Sequence, residues 1–121
     1  MPLTAELYWL PHCSTCQKAK TFLEEKGIRF TLVRDMKAEP LSEAEVQRLV
    51  QAVGNEALLF SKRAMRFRQW GLHDKTLAPN DLLDLMVKEY TFIKRPVVIF
   101  SNGYATAGFA PKQLEKTIAS L

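Results

Sequence analysis

Leu7-Tyr8-Trp9-Leu10-Pro11-His12-Cys13-Ser14-Thr15-Cys16-Gln17-Lys18 joins an apolar run that reads as a strand to an amphipathic run that reads as a helix. The junction holds both cysteines of the 121-residue chain, spaced C-x-x-C. A helix start leaves backbone N–H groups without intrahelical partners, and these favour a thiolate over a thiol at the first cysteine. Two cysteines three apart in that position can also close a small disulfide ring. The combination is the chemistry of thiol–disulfide exchange.

Two blander readings stand beside it. A zinc site needs about four ligands, and beyond the cysteines the histidine candidates are His12 and His73. His12 adjoins Cys13, which is poor geometry for joint tetrahedral binding, so no metal site is expected. Alternatively, both cysteines could be inert and buried, since free cysteine packs as a small hydrophobe.

Outward from the junction, Ala19, Phe22 and Leu23 share one helical face between residues 14 and 26, and Gly27 is placed to stop the helix. Residues 28–33 read as a second strand, which completes a β-α-β unit with parallel strands. The middle of the chain is helical. Ser42 with Glu45 forms a capping-box pattern ahead of Val46, Leu49, Val50 and Val53, and Gly54 ends that helix. Residues 60–70 predict a second helix with Phe60, Ala64 and Phe67 on one side, stopped by Gly71. Pro79 opens a third, carrying Leu82, Leu83, Leu85 and Met86.

Strands then return. Pro96-Val97-Val98-Ile99-Phe100 is a β-branched run, Ser101-Asn102-Gly103 has hairpin-turn chemistry, and residues 104–107 can pair back. Pro111 opens a last helix with Leu114, Ile118 and Leu121 on one face. The expected fold is α/β: a four-stranded mixed sheet flanked by helices. It forms a single domain over residues 1–121, with an inserted helical subdomain at about 36–92. Cys13 falls at the carboxyl end of the first strand, where open α/β sheets place their sites.

Composition agrees with a folded globular chain: 47% hydrophobic and 25% charged residues, with a net charge of +4. No run approaches the roughly 20 apolar residues of a membrane span, and no basic start with an apolar signal core is present. The expectation is a cytoplasmic monomer without membrane attachment. In a reducing compartment a lone C-x-x-C is catalytic or regulatory more often than structural. The positive charge permits anionic partners. No zinc-finger or helix-turn-helix signature appears, so direct DNA binding is not expected.

At the site, the outer sulfur of Cys13 should attack, and Cys16, one turn inside the helix, should resolve the adduct as an intramolecular disulfide. His12 either lowers the thiol pKa when protonated or is a surface histidine without a role. Ser14 and Thr15 offer hydroxyls that can cap the helix or donate to sulfur. Arg95-Pro96 stands at the start of an apolar strand, where a cis proline would expose backbone to a substrate. Arg95 either holds a thiolate or oxyanion through its fork of donors or is an exposed arginine at a strand end.

Cys13-Ser14-Thr15-Cys16-Gln17-Lys18-Ala19-Lys20, Leu23-Glu24-Glu25-Lys26-Gly27-Ile28, Glu39-Pro40-Leu41-Ser42, Arg95-Pro96-Val97-Val98 and Gly108-Phe109 follow one another along nearly the whole chain. In that order they resemble the arsenate reductase / Spx family of thioredoxin-fold proteins. The resemblance implies a thioredoxin-like sheet interrupted by a helical subdomain, with Cys13 as the reactive cysteine and Arg95 as the arginine facing it. Arg63 falls near a second family arginine. A third, in the last hairpin region of such reductases, has Phe109 thereabouts in this chain.

The function so implied is a thiol-dependent oxidoreductase resembling arsenate reductase. No bound cofactor is expected, and glutathione, glutaredoxin or thioredoxin would be the electron donor. The alternative is an Spx-type redox-sensing regulator that binds RNA polymerase through the C-terminal domain of its α-subunit. Gly54 lies close to the glycine such regulators use. The site set is Cys13, Cys16 and Arg95 for chemistry, with His12, Ser14, Thr15, Arg63 and Pro96 toward substrate.

Overall fold

The computed structural model describes residues 3–119. Ten regular elements follow in chain order: β1 (Thr4–Trp9), α1 (Ser14–Glu25), β2 (Arg29–Asp35), α2 (Glu43–Val53), α3 (Glu56–Leu59), α4 (Met65–Gln69), α5 (Pro79–Lys88), β3 (Val97–Phe100), β4 (Ala105–Ala107) and α6 (Pro111–Ala119). The chain divides into two compact units. One takes in the segments up to Asp35 and from Arg95 onward, and the other is Met36–Lys94.

The first unit is built on one sheet of order β2-β1-β3-β4. β1 runs parallel to β2 and antiparallel to β3, and β3 is antiparallel to β4. This is the mixed, helix-flanked sheet that the strand and helix periodicities predict. All four residues of β3 are buried, which is why that strand reads as an unbroken apolar run. Ala5, Leu7, Val98 and Phe100 form one core with Leu23 of α1 and Leu114 of α6. Ile118 packs on its margin, while Leu121 lies outside the described residues.

Cys16, Ala19 and Leu23 are the buried stripe of α1. The helix ends in a Schellman arrangement: Gly27 N–H donates to the Glu24 carbonyl and Ile28 N–H to that of Leu23, both at 3.0 Å. Gly27 takes φ +80°, a conformation that a side chain would strain.

Thr106 in β4 lies opposite Val98, and its hydroxyl is buried with no hydrogen-bond partner. A buried donor left unpaired costs about 1–3 kcal/mol. Thr106→Val keeps the β-branched shape and removes the hydroxyl. It should raise stability by about 1 kcal/mol in urea unfolding, whereas a loss of stability would mean that water or a ligand satisfies the group.

The second unit is helical. Its first helix carries the expected capping box: Glu45 N–H donates to Ser42 Oγ at 3.2 Å, and Ser42 N–H to Glu45 Oε1 at 2.9 Å. Gly54 closes it at φ +127°. The helix expected over residues 60–70 is not formed as one piece. Asn55 caps the short α3, Phe60 is extended at φ −77° and ψ 133°, and only Met65–Gln69 continue as α4.

Backbone pairing with a distant segment explains the difference. Ser61 N–H donates to the Phe92 carbonyl at 2.7 Å and Lys94 N–H to that of Leu59 at 2.8 Å, with Phe60 bridged to Ile93. Those bonds satisfy groups that a helix would have satisfied locally. They also set the Phe60 ring 5.3 Å from that of Phe92, with an interplanar angle of 14°.

Candidate active site

β1 ends at Trp9, and the chain turns through Pro11 and His12 into α1. Two bonds hold the turn: Cys13 N–H to the Leu10 carbonyl at 3.0 Å, and Gln17 Nε2 to the Pro11 carbonyl at 2.6 Å. Cys13 is therefore the N-cap residue, extended at φ −82° and ψ 119°, with no side-chain capping bond of its own. The first N–H groups of the helix are left to its sulfur.

Burial alone would raise the Cys13 thiol, but four influences outweigh it. The backbone N–H of Cys16, the Cys16 thiol, the backbone N–H of Thr15 and the positive charge of Arg95 together hold it below its ordinary value of 9.0. Cys16 behaves oppositely. It is fully buried, and burial pushes its thiol up to about 12. The neighbouring Cys13 sulfur adds to that rise, while the Leu10 backbone and Arg95 oppose it. Both residues are free thiols.

The sheet delivers Arg95. Antiparallel pairing sets Val97 against Tyr8, so the Arg95-Pro96 step ahead of β3 lies at the carboxyl end of β1, where Cys13 follows. The Arg95–Pro96 peptide is cis, and the Pro96 carbonyl accepts from Gly108 N–H at 2.9 Å. Phe109 makes an edge contact with Phe22, ring centroids 5.8 Å apart, so the side chain near the expected third arginine serves packing.

Cys13, Cys16, Arg95 and Pro96 thus come together in one unit. Ser14 and Thr15 occupy the exposed first turn of α1, and His12 is exposed in the turn before it. Arg63 belongs to the helical unit, in an exposed turn ahead of α4. Sequence alone points both to the backbone N–H groups of the helix start and to the hydroxyls of Ser14 and Thr15; the donors that lower Cys13 are the N–H groups of Thr15 and Cys16 with the Cys16 thiol. It passes over Gln17, whose amide clamps the loop and whose only signal is its place one residue after Cys16. Among the described residues, no three His, Cys, Asp or Glu side chains gather in a metal-holding group. No helix there is long and apolar enough to cross a membrane.

The raised Cys16 pKa has a stability consequence. Its folded value lies above 9.0, so its contribution is complete below pH 9.0 and is lost as pH rises toward about 12. Urea unfolding between pH 9 and 11 should show stability falling more steeply in the wild type than in Cys16→Ala. Parallel curves would mean that the buried thiol is not the group responsible.

A model of the ArsC family matches residues 8–117 of this chain. The global transcriptional regulator Spx of Lactiplantibacillus plantarum is 30% identical over 95 residues, covering 77% of this chain and 70% of that protein. The arsenate reductase of Rhizobium meliloti is 30% identical over 106 residues, covering 84% and 72%. Among solved structures, an arsenate reductase from Vibrio cholerae superposes with a TM-score of 0.77 at 26% identity, covering 96% of this chain and 98% of that one. The thioredoxin-like fold is shared over nearly the whole length. The matched segment runs from the strand before the thiols past the one that presents Arg95, and this chain belongs to the ArsC family.

Proposed function

We propose that the protein is a thiol-dependent oxidoreductase acting on arsenate or on a disulfide. The observation that carries this reading is the asymmetry of the thiol pair. Cys13 is partly exposed and held low by helix N–H groups and Arg95, while Cys16 is buried and protonated one turn away. The first is suited to attack and the second to wait.

With arsenate, the Cys13 thiolate forms an S–As bond and displaces a hydroxyl from As(V), which takes a proton from solvent and leaves as water. Cys16, losing its proton, then attacks the Cys13 sulfur. The S–As electron pair passes to arsenic, leaving As(III) and a Cys13–Cys16 disulfide. Glutathione, glutaredoxin or thioredoxin returns two electrons to that disulfide. Arg95 offsets negative charge on the attacking sulfur and on the oxyanion. Arg63 enters this reading through family resemblance, and Arg63→Ala kinetics measure its share.

Glutaredoxin- or thioredoxin-coupled arsenate reduction by the pre-reduced protein tests the proposal. Cys16→Ser should keep the attack and lose the internal resolution; with glutathione and no glutaredoxin, glutathione attacks the Cys13 sulfur, releases As(III), and the resulting Cys13 mixed disulfide accumulates in the intact-mass spectrum. A variant that turns over as fast as wild type and shows no adduct would remove Cys16 from the mechanism.

A second reading is favoured by the 30% identity to an Spx regulator over 77% of this chain. In it, the same disulfide changes a surface that binds the C-terminal domain of the RNA polymerase α-subunit. Binding that differs between the reduced and oxidised protein would support it, and no binding in either state would end it.

A further inference from the structure

The helical unit contains a cleft of about 460 Å³, within the range of small-molecule sites. All of its lining residues lie within Met36–Lys94. Apolar and polar groups share its walls: Phe67 and Leu77 are half-buried there, while Phe60 and Leu72, which also line it, are almost wholly buried. Lys62, Lys75 and His73 also line it; no acidic side chain does, and the Asp74 carboxylate lies 3.4 Å from His73 Nε2. Both lysines are exposed, one in the turn before α4 and the other just after the 3-10 turn Leu72–Asp74.

The apolar wall is stiff. Phe60 is stacked on Phe92 and makes an edge contact with Phe67 at 6.1 Å. Phe67, backed by the buried Phe60, is the partly exposed ring, and a ring held from behind accepts an apolar body at little entropic cost. Two compact ammonium charges on flexible stems suit a single anionic head better than the planar fork of an arginine would.

We propose that this cleft binds a small amphipathic carboxylate, with an aromatic or short aliphatic body against Phe67 and Leu77 and its charge between Lys62 and Lys75. Charge complementarity selects this occupant: two exposed lysines flank half-buried apolar side chains, and no carboxylate lines the cleft.

The probe is 4-phenylbutyrate, with 4-phenylbutanamide as its uncharged match, titrated into the full chain and followed by ¹H–¹⁵N correlation spectra. The carboxylate should shift the amides of residues 60, 62, 72, 75 and 77 saturably, and bind about tenfold tighter than the amide. Lys62→Gln with Lys75→Gln should abolish that preference while leaving the spectrum folded. Absence of saturable shifts in the cleft would overturn the proposal. So would equal binding of acid and amide, or a double variant that binds like wild type.

Discussion

Cys13→Ser should abolish arsenate- or disulfide-reducing turnover, lowering it by roughly a thousandfold or more, as expected when a covalent nucleophile is removed. The sulfur sits where the N–H groups of Thr15 and Cys16 and the charge of Arg95 converge, and that environment draws the thiol below 9.0. A serine hydroxyl in the same place ionises so far above neutrality that the same donors leave it protonated. The substitution is close to isosteric at a partly exposed position, so circular dichroism and thermal unfolding should be unchanged.

Iodoacetamide labelling of the wild type should reach half its maximal rate below pH 9.0, because only the thiolate reacts. Arg95→Gln should move that midpoint upward, by less than the whole lowering, because backbone donors remain. Turnover by Cys13→Ser equal to wild type would sink the enzymatic proposal outright.

Phe92→Ala should be the most damaging substitution in the helical unit, costing about 3–5 kcal/mol. Phe92 is fully buried, stacked on Phe60, and in edge contact with Trp70 at 5.4 Å. Its carbonyl also receives the Ser61 N–H that ties the segment after α3 to the 3-10 turn Tyr90–Phe92. Truncation removes the apolar transfer term and leaves a void between two rings that cannot readily close on it. A domain of ordinary stability has about 5–15 kcal/mol in all, so the urea midpoint should fall sharply. A loss below about 1 kcal/mol would show that the aromatic cluster collapses around the gap.

Local signals were legible where the physics is local. Ser42 and Glu45 form a capping box because both partners lie within one turn, and the Gly27 stop needs only a residue that tolerates positive φ. The Val97–Phe100 run reads as a strand because β-branched residues suit a pleated, buried surface. Residues 60–70 mislead for the opposite reason. Phe60, Ala64 and Phe67 have helical spacing, yet Phe60 is fixed by bonds to a segment about 30 residues away, which periodicity does not register.

The same division runs through the candidate site. The sequence alone determined that two thiols stand at a strand–helix junction, with Cys13 at the cap and Cys16 one turn inside. A C-x-x-C on a helix start has little freedom to be arranged otherwise. Tertiary structure decided the rest. Arg95 reaches Cys13 only because β3 pairs antiparallel with β1 in the register that sets Val97 against Tyr8. The thiols part in pKa because one remains partly exposed among donors while the other is fully buried. Burial and long-range charge belong to the assembled chain, and no stretch of sequence carries them by itself.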